Sequence, residues 1–215
     1  MEIIRFNLKG DWSDLDYRII EQAIKVIKRG GSIVFPTDTV YGLGVSALNP
    51  YSIERLFKIK KRPEGKPIPI IVKNIRMAKE LAYIDKRIEK ALLEVWPGQV
   101  TVILEKRSIV PDILTAGQKT VGLRIPNNYF TQYLMEYLNE PITATSANLS
   151  NQTPLISSME VIKIFEKTYP SPDLILDAGE LSPSPPSTIL DLTSSQPKIT
   201  RIGPISKKDL MEMIK

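Results

Sequence analysis

Ser32-Ile-Val-Phe-Pro-Thr-Asp-Thr-Val-Tyr-Gly-Leu-Gly44 is the stretch from which the fold is read. Ser32-Ile-Val-Phe35 is a short apolar run of strand type, stopped by Pro36, which has no N–H to give to a ladder. Upstream, Ile19, Ile20, Ala23, Ile24 and Ile27 recur at helical spacing until Gly30-Gly31 ends the helix. Ser13-Asp-Leu-Asp16 reads as a capping box at its start. A helix that leads into a buried strand is the unit of an α/β fold. Residues 37–44 read as a loop in which Gly42 and Gly44 permit a sharp turn.

The same alternation continues downstream. Pro50 opens a helix with Ile53, Leu56 and Phe57 on one face. Ile68-Pro-Ile-Ile-Val72 reads as a strand whose internal Pro69 suggests an edge or bulged position. Asn74 caps a short helix to Ala82, and Asp85 starts a longer one through Val95. Strands are expected at 100–104, 120–125 and 142–145, with a helix at 129–138 between the last two. A helix near 159–165 leads to a strand at 174–176, then to strands at 188–192 and 199–202. A final helix is capped by Ser206 and Asp209. Strands alternating with helices imply an α/β domain with a largely buried sheet. The prolines and the consecutive late strands imply a mixed sheet. No composition break divides the chain, so residues 1–215 are expected to form a single domain.

Composition narrows the chemistry. The 215 residues contain no cysteine and no histidine. Thiolate nucleophiles, cysteine zinc sites, Ser-His-Asp triads and imidazole bases are therefore excluded. Group transfer at phosphate, which rests on positioning and charge stabilisation, fits that restriction. A net charge of +5 and a pI near 9.2 favour an anionic partner, although lysines that serve only solubility are the blander explanation. No run approaches the roughly 18 apolar residues of a membrane span. Met1-Glu-Ile-Ile-Arg-Phe6 lacks the order of a signal peptide, so a cytoplasmic location is expected.

Three polar segments stand beside strand-like runs. In the first, Thr37, Thr39 and Tyr41 can hydrogen-bond and Gly42 lets backbone approach a ligand; the alternative is a turn in which Thr37 and Asp38 bond their own backbone. The second, Lys58-Ile-Lys-Lys-Arg-Pro-Glu-Gly-Lys-Pro67, concentrates cations in a loop made by Pro63 and Gly65. Lys60 and Arg62 point the same way if the backbone there is extended, which would suit carboxylate plus phosphate. A solvated basic loop is the commoner fate of such runs, and a nucleic-acid contact is a rival. The third, Ala144-Thr-Ser-Ala-Asn-Leu-Ser150, places Ser146, Asn148 and Ser150 at the end of a strand, where they can bind a ligand or simply cap a turn. Arg124 ahead of Pro126, and Ser187-Thr188 after the tract Ser182-Pro-Ser-Pro-Pro186, are further candidates.

These segments, taken in order with Trp96-Pro-Gly98, Arg124-x-Pro126, Pro186-Ser-Thr188 and Arg201-x-Gly203, resemble the YrdC family of threonylcarbamoyl-AMP synthases from about Asp16 to the end of the chain. The resemblance implies a twisted mixed sheet flanked by helices around a concave basic cavity. It implies formation of threonylcarbamoyl-AMP and pyrophosphate from L-threonine, bicarbonate and ATP with Mg²⁺. The product would feed threonylcarbamoyladenosine modification of tRNA through a separate transferase complex.

By resemblance, Thr37, Tyr41, Arg124 and Ser187 would hold threonine. Ser146, Asn148, Thr153 and Arg201 would hold ATP. Lys60 and Arg62 would be the catalytic charge stabilisers and would meet either substrate. No protein metal ligand is expected. Lys73, Gln99, Asn127, Asn128, Asn151 and Ser184 depart from the common pattern, and they bear on amino-acid selectivity more than on adenylate chemistry. The extra C-terminal domain of longer members is expected to be missing, which leaves Ser182–Pro186 as a local cover for nucleotide. The rivals are a carbamoyl-adenylate-forming domain and an RNA-binding module that uses the Lys58–Lys66 loop, and weak RNA binding is compatible with the synthase as well.

Overall fold

Ile33–Phe35 (β2) is fully buried, and the chain is organised around it. The computed structural model describes residues 1–7, 14–63 and 65–214, leaving aside the side chains of residues 14–16. The Ser13–Asp16 capping box therefore lies outside the described residues. Helix α1 (Asp14–Lys28) buries Ile19, Ile20, Ala23, Val26 and Ile27. It ends at Gly30, whose φ of +82° is the left-handed turn that glycine takes at least cost.

The strands form two mixed sheets rather than one. In the first sheet, β2 lies between β9 (Leu174–Asp177), which runs parallel to it, and β3 (Gly42–Gly44), which runs antiparallel. β1 (Glu2–Arg5) adds in parallel beside β9, and β8 (Thr145–Ser146) adds beside β3. In the second sheet the order is β11 (Lys198–Arg201), β10 (Thr188–Asp191), β5 (Val100–Glu105), β6 (Thr120–Arg124), β4 (Ile70–Ile71), β7 (Ile142–Thr143). The flanking helices are α2 (Pro50–Lys60), α3 (Ile75–Leu81), α4 (Lys86–Val95), the short α5 (Asp112–Thr115), α6 (Tyr129–Leu138), α7 (Ser158–Phe165) and α8 (Lys207–Met213). The mixed α/β class expected from the sequence is thus found, with its strands divided between two sheets.

Three local expectations are corrected. Gly42–Gly44 is a strand and not a loop, because the Phe35 ring lies against it. A Cβ at Gly44 would stand 2.8 Å from that ring, so only glycine lets the strand pair this closely. β4 is not an edge strand, since β6 and β7 pair on either side of it. Pro69 precedes the paired residues, and its carbonyl accepts from Ala144 N at 2.7 Å, so its missing N–H costs no ladder bond. The run 142–145 is broken at Ala144: Thr143 pairs with Ile70 in the second sheet, while Thr145 pairs with Leu43 in the first. One residue therefore hands the chain from sheet to sheet.

Asp173 fastens β2, β9 and α2 together. Its Oδ2 accepts from Ser32 N at 2.7 Å and Ser32 Oγ at 3.0 Å, and its Oδ1 accepts from Arg55 Nη2 at 2.8 Å. Burial alone would raise this carboxyl, but the Arg55 and Ser32 donors outweigh it and hold the pKa below the ordinary 3.8. A depressed acid contributes stability that is full above the unfolded pKa and lost as pH falls through the folded one. Asp173→Asn should cost about 1–3 kcal/mol near neutral pH. In urea titrations at stepped pH, the gap between wild type and variant should close as the medium is acidified below 3.8.

Candidate functional site

A cavity of about 270 Å³ opens between the two sheets. The first sheet supplies Thr37, Thr39 and Val40 from the β2–β3 connection, with Gly42, Thr145 and Ser146 from its strands. The second supplies Ile71, Thr101, Arg124, Ser187, Ile189 and Arg201. Arg62, Pro67, Pro154 and Pro186 stand around these. The chain switch at Ala144 is itself part of the wall, so the cavity sits where the sheets join.

Arg124, the last residue of β6, is 7% exposed. Its Nη2 donates to Asp38 Oδ1 at 2.6 Å, Nη1 to Thr39 Oγ1 at 3.3 Å and Nε to the Gly98 carbonyl at 3.2 Å. Burial pushes its pKa down; Asp38 opposes that, and the nearby charge of Arg201 adds to it. Ser187 Oγ lies 2.8 Å from Thr101 Oγ1. Arg201 donates from Nε and Nη2 to the Ser187 carbonyl at 3.0 and 2.8 Å, and from Nη2 to Ser187 Oγ at 3.2 Å. This clasp requires the chain after β11 to cross the start of β10. A Cβ on Gly203 would lie 2.3 Å from the Pro186 carbonyl oxygen, so only glycine can make the crossing.

Thr37 forms the turn that the bland alternative foresaw. Its hydroxyl donates to the Val40 carbonyl at 2.7 Å and accepts from Thr39 N at 3.1 Å. It lines the cavity all the same. Arg62 also lines it, held by Nε to the Lys66 carbonyl at 3.2 Å and Nη2 to the Pro67 carbonyl at 2.9 Å.

Lys60 takes a different place. It is the last residue of α2, and Lys61 behind it is left-handed at φ 47°, so Lys60 and Arg62 do not alternate along an extended strand. Lys60 is 1% exposed and does not line the cavity. It donates to the Ser146 carbonyl, to the Asn148 carbonyl at 2.6 Å and to Asn148 Oδ1 at 3.3 Å. Burial, with the charge of Arg62 behind it, pushes its pKa down to about 7. Asn148 is buried behind Ser146; its Oδ1 accepts from Ser146 Oγ, and its Nδ2 donates to the Gln152 carbonyl at 2.5 Å.

The structure therefore brings Thr37, Arg62, Arg124, Ser146, Ser187 and Arg201 to one cavity and sets Lys60 and Asn148 immediately behind it. Two expected residues stand apart from the lining. Tyr41 is buried with its hydroxyl donating to the Gly179 carbonyl at 2.8 Å and accepting from Ala178 N at 3.0 Å, and burial raises its pKa to about 12. Thr153 is exposed beside Pro154. Two residues not singled out in the sequence belong to the site: Asp38, the carboxylate on Arg124, and Thr101, the partner of Ser187. Among the described residues no group of three or more Asp or Glu could hold a metal ion.

The chain matches a family model labelled Sua5_yciO_yrdC and described as "Telomere recombination" over residues 25–203. It is similar to a threonylcarbamoyl-AMP synthase of Pyrococcus abyssi, 34% identical over 202 residues that cover 92% of this chain and 58% of the relative. It is also similar to YciO of Escherichia coli, a protein described as uncharacterized, at 32% identity over 86% of this chain and 89% of the relative. The crystal structure of P. abyssi Sua5 complexed with L-threonine superposes with a TM-score of 0.90 at 31% identity, covering 100% of this chain and 61% of that one. The chain thus spans about three-fifths of the length of the Pyrococcus protein.

The Lys60 ammonium yields a test of stability. The folded pKa of about 7 lies below the ordinary 10.5, so between those values the unfolded chain binds a proton that the folded chain does not. This lysine therefore makes stability rise with pH across that window, by at most about 1.4 kcal/mol per unit. Lys60→Met should remove that rise and lower stability at neutral pH by about 3 kcal/mol, since the oxygens at Ser146 and Asn148 lose their donor. Denaturant midpoints of both proteins between pH 6.5 and 10.5 read both effects.

Proposed function

The chain belongs to the Sua5/YciO/YrdC family, and from that membership we propose that it is an L-threonylcarbamoyladenylate synthase, a nucleotidyltransferase acting on L-threonine, bicarbonate and ATP. One observation carries the proposal: a single cavity gathers Thr37, Arg62, Arg124, Ser146, Ser187 and Arg201, in a fold that superposes along its whole length on a relative holding L-threonine.

The chemistry needs what this site has and omits what it lacks. Threonine and bicarbonate combine with loss of water to give the N-carboxylate. A carboxylate oxygen then attacks the α-phosphorus of ATP. The bond from that phosphorus to the bridging oxygen breaks, and pyrophosphate leaves with the electron pair. The attacking group is already an anion, so no general base is required for this step, which agrees with a chain free of histidine. What the step does require is positive charge against developing negative charge. Arg62 and Arg201 face the cavity and would supply it, Arg124 and Ser187 would hold the amino acid, and Thr37 and Ser146 would offer hydroxyls to substrate oxygens.

Lys60 and Asn148 enter this proposal as the support that aims Ser146. Asp38, the carboxylate beside the cavity, already accepts from Arg124 and from Asn127 N, and among the described residues no group of three or more acidic side chains could hold a metal ion. We place Mg²⁺ on the ATP phosphates as part of the substrate. The product would pass to a tRNA threonylcarbamoyl-transferase complex in the cytoplasm. No helix among the described residues is long and apolar enough to cross a membrane.

The deciding assay is pyrophosphate release from Mg²⁺-ATP with and without L-threonine and bicarbonate. Release that requires both is expected. Release driven by carbamoyl phosphate would instead assign the carbamoyl-adenylate reaction, and no release, with RNA binding that collapses in salt, would assign an RNA-binding module. Arg62→Ala should lower turnover by about 10²–10³ while leaving the melting temperature nearly unchanged, because the guanidinium reaches only the carbonyls of its own loop. Normal turnover in that variant would remove Arg62 from the role.

A further inference from the structure

The cavity holds three guanidinium groups, and among the described residues only that of Arg124 has a carboxylate partner. Arg124 Nη2 donates to Asp38 Oδ1 at 2.6 Å, and the side chains of both residues are 8% exposed. Arg62 and Arg201 are held by carbonyl and hydroxyl oxygens, and among the described residues neither has an acidic partner. Asp38 does not itself line the cavity. Its Oδ2 accepts from Asn127 N at 2.9 Å, its backbone carbonyl accepts from Gln99 Nε2 at 2.5 Å, and the flanking Thr37 and Thr39 do line the cavity. The carboxylate is thus fixed from the second sheet while it fixes Arg124 from the first.

We propose that Asp38 is a positioning residue that neutralises and aims Arg124, so that this end of the cavity accepts an amino-acid zwitterion while polyphosphate is left to Arg62 and Arg201. The proposal rests on the synthase function above and divides its cavity by charge. A guanidinium joined to a carboxylate has no net charge to offer a triphosphate, so a highly charged anion gains little by moving there. A zwitterion, itself of zero net charge, loses nothing by the same neutrality. The contacts to Asp38, Thr39 and Gly98 each use one N–H of Arg124, on Nη2, Nη1 and Nε. A guanidinium has five, so one N–H remains on each terminal nitrogen for a further acceptor such as a carboxylate. The pair also lets Arg124 and Arg201 stay close together despite their mutual repulsion.

The test is calorimetric titration of the full chain with L-threonine and, separately, with pyrophosphate. In the wild type, saturating pyrophosphate should leave threonine affinity nearly unchanged, because the two occupy different ends. Asp38→Asn exposes the charge of Arg124. Threonine should then bind about tenfold more weakly, pyrophosphate about tenfold more tightly, and the two should compete. A merely structural role would weaken both ligands together. That result, or no change in either ligand, overturns the proposal. Should Asp38→Asn fail to fold, the double variant Asp38→Asn with Arg124→Gln removes both charges. It should lose threonine and keep wild-type pyrophosphate affinity, and a gain of pyrophosphate affinity there would also overturn the proposal. Pyrophosphate binding without threonine binding in the wild type would instead sink the synthase function. The tightening in Asp38→Asn would still decide the charge assignment.

Discussion

A buried basic side chain must find acceptors within hydrogen-bond reach, and two such side chains meet that need at the seam between the sheets. Lys60 meets the requirement with oxygens, two from backbone carbonyls and one from an amide. Arg124 meets it with a carboxylate and two further oxygens. The difference has consequences. The Lys60 oxygens all belong to Ser146 and Asn148, so the lysine organises a turn, and Ser150 N closes the same turn by donating to the Lys60 carbonyl at 2.9 Å. The contacts of Arg124 come from the β2–β3 connection on one side and the Trp96-Pro-Gly98 turn on the other, so it ties the two sheets across the cavity.

That seam explains why the cavity lies where it does. β7 and β8 are only two residues each and are separated by Ala144, yet they belong to different sheets. Strands this short gain little from ladder bonds alone. Thr143 Oγ1 accepts from Val45 N at 3.0 Å, Thr143 N donates to the Val45 carbonyl, and the Lys60 ammonium fixes the residues just beyond. The gap left between the two sheets is the cavity, and it is walled by the side chains that the seam turns inward.

Elements with strong local signals were legible in the sequence. α6 has the bounds expected because Asn128 caps one end and Asn139, at φ 53°, terminates the other. β3, β1 and the split at Ala144 were not legible, since each is defined by a distant partner. Glycines at 42 and 44 look the same in a turn and in a strand packed under a phenylalanine. The site was legible in residue type and not in direction. Lys60 and Arg62 are alike in charge and two apart, but a helix C-terminus falls between them, and only Arg62 faces the cavity. Tyr41 has a polar handle that a buried backbone turn consumes. Asp38 carried one signal that could have been weighted more: it is an acid set between two hydroxyls in a chain whose candidate site is otherwise cationic.

The positions expected from the resemblance to depart from the family's common pattern have separate places in the structure. Lys73 pairs with Glu136 at 2.9 Å and does not line the cavity. Asn151 occupies a left-handed position at φ 67°, a conformation asparagine tolerates better than most side chains. Asn128 serves as the α6 cap. Two others reach Asp38: Asn127 donates its backbone N–H to the carboxylate, and Gln99 donates its side-chain amide to the backbone carbonyl. Of these two contacts only that of Gln99 depends on its side chain, and it holds the backbone of the β2–β3 connection rather than the carboxylate. That connection carries Thr37 and Thr39 into the cavity, so Gln99 steadies one wall of it, while the guanidinium groups of Arg62 and Arg201 keep the oxygen partners they have.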